Sequence, residues 1–331
     1  MISYPKEKIT LFCKIFQVPE YVIPWLHRFF EIEEIELILE LAGSENRPPL
    51  DQDIQERYYR RGIISFDDDG KMIPADFYCR FEKWALFEGW QDVPDEIKGK
   101  LNQWQMDYYA GEHLPAVEAL QSSGTRDRSH VWPEYALVDE ALAIIDRVPH
   151  IYQWPCNCRA MMKGCQKPEF VCLRFDNDRN LGWEISKERA KEILLSAHKK
   201  GLIQNAELGI LPDGTIDGAI CNCCSDCCYP QQLSEKFELQ AIWPLKRYVV
   251  DYNKDLCTAC GRCSKRCPFQ AFTLHKTASD QKQKTVKTIE YDSTLCRGCG
   301  LCESTCPEKA IEMKPLAVSP LSIMKEIIRS N

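Results

Sequence analysis

Two cysteine runs, Cys257-x2-Cys260-x2-Cys263-x3-Cys267-Pro268 and Cys296-x2-Cys299-x2-Cys302-x3-Cys306-Pro307, constrain this chain more than any other feature. Three thiols two residues apart wrap a tight loop around one face of a cube-shaped [4Fe–4S] cluster, and the fourth points away to reach a second cluster. The spacing predicts one cluster on Cys257, Cys260, Cys263 and Cys306, and another on Cys296, Cys299, Cys302 and Cys267. A zinc ribbon also uses CxxC, but in pairs, without a third evenly spaced cysteine or a following proline. The nineteen cysteines are an odd number in a 331-residue chain, which is long enough to build cores without disulfides. No secretory leader is evident, so metal binding and a cytoplasmic address are expected.

Over about Tyr248 to Lys314 the sequence resembles the bacterial dicluster ferredoxins. The resemblance implies two [4Fe–4S] clusters, single-electron transfer and redox partner proteins that dock on this domain. The connection from Cys267 to Cys296 departs from the pattern by adding the polar, lysine-rich HKTASDQKQKTVK. Residues 251–315 carry eleven Lys/Arg and eight Asp/Glu, so this segment is basic within a chain of net charge −7, and an acidic docking surface would complement it.

Upstream the pattern is less regular. Cys156, Cys158, Cys165 and Cys172 supply four thiols, and the stretch ICNCCSDCCYP supplies Cys221, Cys223, Cys224, Cys227 and Cys228. Adjacent cysteines do not both turn inward on one ion, so each pair is expected to divide its thiols between different surroundings. Three readings are open: one or two further Fe–S clusters, a structural zinc, or a thiol–disulfide site. Arg159 and Arg174 lie close enough in sequence to balance an anionic, thiolate-rich site.

The first half holds only Cys13 and Cys79. Helical spacing over Glu31–Ala42, a second helix over Leu50–Arg61 ending at Gly62, and a hairpin around Asp69-Gly70 predict a winged-helix-like module over residues 1–82. Its ten Lys/Arg stand against sixteen Asp/Glu, and the wing tip is Asp67-Asp68-Asp69, which argues against a nucleic-acid partner. Residues 83–150 read as an aromatic-rich helical connector with a helix over Glu134–Arg147. Residues 151–245 read as a cysteine-rich domain with a second helix-then-hairpin, winged-helix-like unit: helix Ser186–Lys200, then strand, Pro-Asp-Gly turn and strand. The dicluster domain spans 246–315, and residues 316–331 form a tail helix. The fold class expected is α+β, multidomain, with no membrane span. The six histidines show no ligand-spaced pair in sequence, and no GxGxxG or Walker loop is present.

The order PCNCR, PEFVCLRF, ICNCC and dicluster run is similar to a family of 4Fe-4S ferredoxin-type proteins of anaerobes that begin with a winged-helix-like region. The resemblance carries over Cys156, Cys158, Arg159, Cys165, Cys172, Cys221, Cys223, Cys224, Cys227 and Cys228, with Tyr229 standing where a further cysteine occurs in related sequences. It implies an electron carrier with a further metal centre. An oxidoreductase subunit and a redox-sensing winged-helix regulator are the competing readings.

Overall fold

The computed structural model describes residues 5–43, 49–124, 127, 130–162, 164–177, 179–278 and 285–316. It is a mixed α+β structure that divides into two compact units, residues 1–107 with 177–181, and residues 108–176 with 182–331. The expected tail helix lies outside the described residues, apart from its first residue, as does the middle of the inserted loop at 279–284.

The first unit is mainly helical: α1 (Lys6–Ile15), a short α2 (Leu26–Phe29), α3 (Ile32–Gly43) and α4 (Gln52–Arg61), then the hairpin β1 (Ile64–Phe66) and β2 (Met72–Pro74), then α5 (Phe77–Trp84). The helix-then-hairpin order follows from local signals. Asp51 caps α4 by accepting the Asp53 N–H, Gly62 ends it at φ +74°, and Asp67 closes the turn by accepting from Asp69 and Lys71. Phe12, Phe16, Phe29, Phe30, Phe77 and Phe81 are fully or nearly fully buried and form the core. The two charges at 0% exposure have partners. Glu34 accepts from Arg61 Nε at 2.6 Å, and Arg80 donates to the Phe29 carbonyl at 2.7 Å and to Glu88 at 2.6 Å.

The second unit takes its start from the long helix α6 (Asp95–Ser123), within which the boundary at Asp107 falls. It continues with β3 (Pro133–Tyr135), α7 (Val138–Arg147), β4 (Tyr152–Trp154), α8 (Asn157–Met162), β5 (Cys172–Arg174), β6 (Trp183–Glu184), α9 (Lys187–Lys199), β7 (Ile203–Ile210), β8 (Ile216–Cys223) and α10 (Tyr229–Lys236). These strands form one six-stranded antiparallel sheet in the order β3-β7-β8-β5-β4-β6. The expected winged-helix reading of residues 151–245 is corrected here. The hairpin β7–β8 forms, in register from Ile203↔Cys223 to Ile210↔Ile216, but it is the interior of a sheet and not a wing, because β3 and β5 pair along its two edges. The helix expected over Glu134–Arg147 begins only at Val138. Glu134 belongs to β3, and the Glu140 carboxylate accepts the Leu137 N–H at the helix start. Ile144, Ile145, Ile193 and Leu194 from α7 and α9 pack with Leu173, Leu208 and Ile220 of the sheet.

The carboxy-terminal part adds β9 (Tyr248–Tyr252), α11 (Arg262–Arg266), β10 (Phe272–Ala278), β11 (Thr285–Tyr291) and β12 (Ile311–Pro315). Strand β9 pairs with β12 and β10 with β11, so each cysteine run is framed by strands at its ends. Among the described residues no helix is long and apolar enough to cross a membrane.

Candidate metal centres

The two ferredoxin-type runs repeat their backbone as well as their cysteines. Ala259 and Gly298, Gly261 and Gly300, and Gln270 and Lys309 occupy equivalent places, and all six have positive φ. These left-handed residues turn the chain back so that successive thiols face one point. Glycine is required at 298, where a Cβ would stand 2.3 Å from the Tyr248 carbonyl oxygen.

Two cavities result. One is lined by Cys257, Cys260, Cys263 and Cys306, with Tyr252 and Ile311 among its apolar neighbours. The other is lined by Cys267, Cys296, Cys299 and Cys302, with Val250 and Met313. Each cavity takes three thiols from one run and the fourth from the other. The thiol donor set is all sulfur in both and suits a [4Fe–4S] cluster in each, and in the first cavity the peptide N–H groups of Ala259 and Ala310 also point at Cys257 and Cys306 sulfur at 3.3 Å. Burial pushes Cys263 up to about 11 and Cys299 up to about 12, so these thiols ionise only with a cation at hand. The cavities differ in exposure: Cys260 is exposed, whereas Cys296, Cys299 and Cys302 are all buried.

The upstream thiols divide into two groups. The first is a ring. Cys156 hydrogen-bonds Cys158 and Cys172, Cys172 hydrogen-bonds Cys221, Cys221 hydrogen-bonds Cys223, and Cys223 hydrogen-bonds Cys228. Cys228 lies within electrostatic reach of Cys158, and the Tyr229 N–H donates to Cys158 sulfur at 3.4 Å. The sheet builds this ring: Cys221 and Cys223 alternate onto one face of β8, and Cys172 sits one step beyond the Leu173↔Ile220 pair on β5. The hydrogen bond with Cys158 and then that with Cys172 hold Cys156 well below the ordinary thiol range, and Cys172 and then Cys223 do the same to Cys221. Cys158 is held well above that range by its bond to Cys156, Cys172 by its bonds to Cys156 and Cys221, and Cys223 by its bonds to Cys221 and Cys228. A ring of packed thiols cannot all ionise without a positive group among them.

The second group is a triad. Cys165 sulfur lies 3.6 Å from Cys224 sulfur and 3.7 Å from Cys227 sulfur. Among the described residues these three are the one group of His, Cys, Asp or Glu whose donor atoms all lie within 4.8 Å of one another. The adjacent pairs thus split: Cys223 and Cys228 join the ring, Cys224 and Cys227 the triad. None of the nineteen cysteines is in a disulfide.

Of the two flagged arginines, Arg159 belongs to the site. It is 1% exposed, donates to the carbonyls of Pro168 and Asn222, and its guanidinium interacts with Cys156, Cys224 and Cys172. Arg174 is half-buried, stacks over Trp154 at 4.5 Å and pairs with Asp176 at 3.4 Å, leaving it a weaker influence on Cys221.

Two features escaped sequence reasoning. Tyr135, on β3, packs with Cys299 and lies within electrostatic reach of both Cys299 and Cys228, so one side chain stands between the buried ferredoxin cavity and the ring. Its hydroxyl is fixed by Gln231, three residues beyond Cys228, at 3.0 Å. Histidines that show no pair in sequence do meet in space, His113 Nδ1 lying 3.0 Å from His130 Nε2, because α6 and the segment before β3 come together around Trp132 and Trp243.

Residues 256–310 match the family described as 4Fe-4S dicluster domain. No curated protein and no solved structure matches the chain. The dicluster match accounts for the two carboxy-terminal cavities, implies two [4Fe–4S] clusters and makes electron transfer the chemistry of this part.

Proposed function

We propose that the chain is an iron–sulfur electron carrier with an outward and an inward end. Cys257, Cys260, Cys263 and Cys306 hold the outward [4Fe–4S] cluster. Cys296, Cys299, Cys302 and Cys267 hold the inward one, and the ring of six upstream thiols holds a further Fe–S group. A [4Fe–4S] cluster takes up and returns one electron at a time. The protein's own part is to supply thiolates, exclude water and fix direction. Apolar walls at Val250, Ile311 and Met313 exclude water, and the exposed Cys260 marks where a redox partner docks. Buried Cys299 packs with Tyr135, which lies within electrostatic reach of Cys228 in the ring. The observation that carries the reading is the pair of thiol-lined cavities, each completed by the other run's last cysteine.

The first unit is read as a protein-docking module of a cytoplasmic protein. In support, Arg57 of α4 is engaged by Glu31, Arg61 by Glu34 and Glu88, so the helix that would face nucleic acid has two of its three arginines paired with carboxylates.

Iron, sulfide and electron paramagnetic resonance of the anaerobically purified chain test the proposal. Wild type should carry more than eight irons, and Cys260→Ala should lose up to about four of them and impair reduction of an acceptor. Unchanged iron and unchanged transfer in Cys260→Ala would defeat it.

A further inference from the structure

We infer that Cys165, Cys224 and Cys227 bind a single thiophilic cation of the zinc class, separate from the ring, with one coordination position left for a ligand from outside the triad. The inference stands independently of the iron in the other centres.

Distance is the first argument. Four sulfurs about 2.3 Å from one zinc lie about 3.8 Å apart along the tetrahedron's edges. The 3.6 and 3.7 Å separations from Cys165 match those edges and are far beyond a disulfide bond of about 2.05 Å. The eight ferredoxin-type thiols serve as an internal comparison. They are spread around their two cavities, and no three of them meet within 4.8 Å. The triad is set closer: a Cβ added at Gly164 would stand 3.3 Å from Cys227 sulfur, so the backbone beside Cys165 closes directly on it. One ion fits, and a cube does not.

Local chemistry agrees. Cys224-x2-Cys227 is the knuckle spacing of thiolate zinc sites, and the Cys227 N–H points at Cys224 sulfur at 3.4 Å, a bond that steadies a thiolate ligand. Charge agrees as well. Three thiolates around a divalent ion leave one negative charge, and the buried guanidinium of Arg159, without a carboxylate partner among the described residues, lies within electrostatic reach of Cys224 as well as of Cys156 and Cys172 and places positive charge beside it. A buried, permanently charged arginine with only carbonyl partners would be costly, and an anionic metal–thiolate group beside it removes that cost. Cys224 and Cys227 are buried while Cys165 is half-buried, so the outside ligand enters on the Cys165 side. Water, a small thiol or a sulfide has the right chemistry for a thiophilic ion with three thiolates.

The test uses the full chain, purified without oxygen, as wild type and Cys165→Ala. Elemental analysis should find about one zinc per wild-type chain, and Cys165→Ala should lose it on dialysis against a chelator while keeping its iron and its cluster absorbance. Cobalt supplied in place of zinc should give the thiolate-to-cobalt charge-transfer band and tetrahedral d–d bands, and adding a small thiol should shift those d–d bands. Absence of bound zinc and cobalt would overturn the site, and loss of iron from Cys165→Ala would assign the triad to an Fe–S cluster instead. Cobalt bands indifferent to added thiol would overturn the open position. Zinc retained in a chain without iron would defeat the electron-carrier reading and leave this site standing.

Discussion

At the scale of single residues, burial decides what a polar group does here. His113 shows this away from any cysteine. It is packed between Tyr109 at 4.2 Å and Trp243 at 5.0 Å, and hydrogen-bonded to His130. Burial first, and the neighbouring His130 second, lower it from 6.5 to about 4. The folded form therefore keeps His113 neutral where the unfolded chain takes up a proton. Stability from this residue is present above about pH 6.5 and is lost as pH falls toward 4, because the unfolded state binds more protons across that window. Urea unfolding of the wild type should lose on the order of 1–2 kcal/mol between pH 7 and 5 on this account, and His113→Asn should flatten that part of the slope. An equal slope in both proteins would show that the imidazole is already solvated.

At the scale of elements, the carboxy-terminal strands are held to the six-stranded sheet by a buried ionic knot. Arg247, just before β9, is 0% exposed; it donates to the Tyr135 carbonyl at 3.2 Å, pairs with Glu140 at the start of α7, and lies 3.5 Å from Glu134 on β3. Tyr248 adds a hydrogen bond to Glu140 at 2.7 Å. Removing only the cation strands two carboxylates in a dry place. Arg247→Met should cost about 3–5 kcal/mol, and adding Glu134→Gln with Glu140→Gln should recover much of it, read from thermal melts of the three proteins. If Arg247→Met melts with the wild type, the knot is solvated and contributes little.

The same elements show what the sequence could and could not reveal. Helix α9 and the β7–β8 hairpin were legible because Ser186, Gly201 and Asp213-Gly214 are local signals. Their sheet was not, since β3, β4 and β5 are three residues long, too short for a visible alternation, and take their partners from distant segments. The ferredoxin cavities were legible because their ligand pattern repeats within each run. The triad was hidden because Cys165 is far in sequence from Cys224 and Cys227, and only the fold shows which thiol of each adjacent pair turns which way.

At the scale of the whole second unit, the more exposed ferredoxin-type thiols lie in the outward cavity. In the outward set Cys260 is exposed, Cys257 and Cys306 are half-buried and Cys263 is buried; in the inward set Cys267 is half-buried and Cys296, Cys299 and Cys302 are buried. Contacts behind the inward cavity keep it closed: Arg266 donates to the last carbonyls of α9, and His198 meets Ser304 at 2.7 Å. At the carboxy-terminal end of α9 a guanidinium is favoured both as a donor to these carbonyls and by the helix dipole. Oxidants and alkylating reagents approach from solvent, so attack should follow the same order. After timed exposure of the anaerobic protein to air, iodoacetamide followed by peptide mass spectrometry should mark Cys260 first, then Cys257 and Cys306. Cys296, Cys299 and Cys302 should follow only later, with iron falling in steps of about four. Simultaneous labelling of both runs would mean that the inward cavity opens as readily as the outward one. The asymmetry between the two ends, on which a direction for electron flow depends, would then be lost.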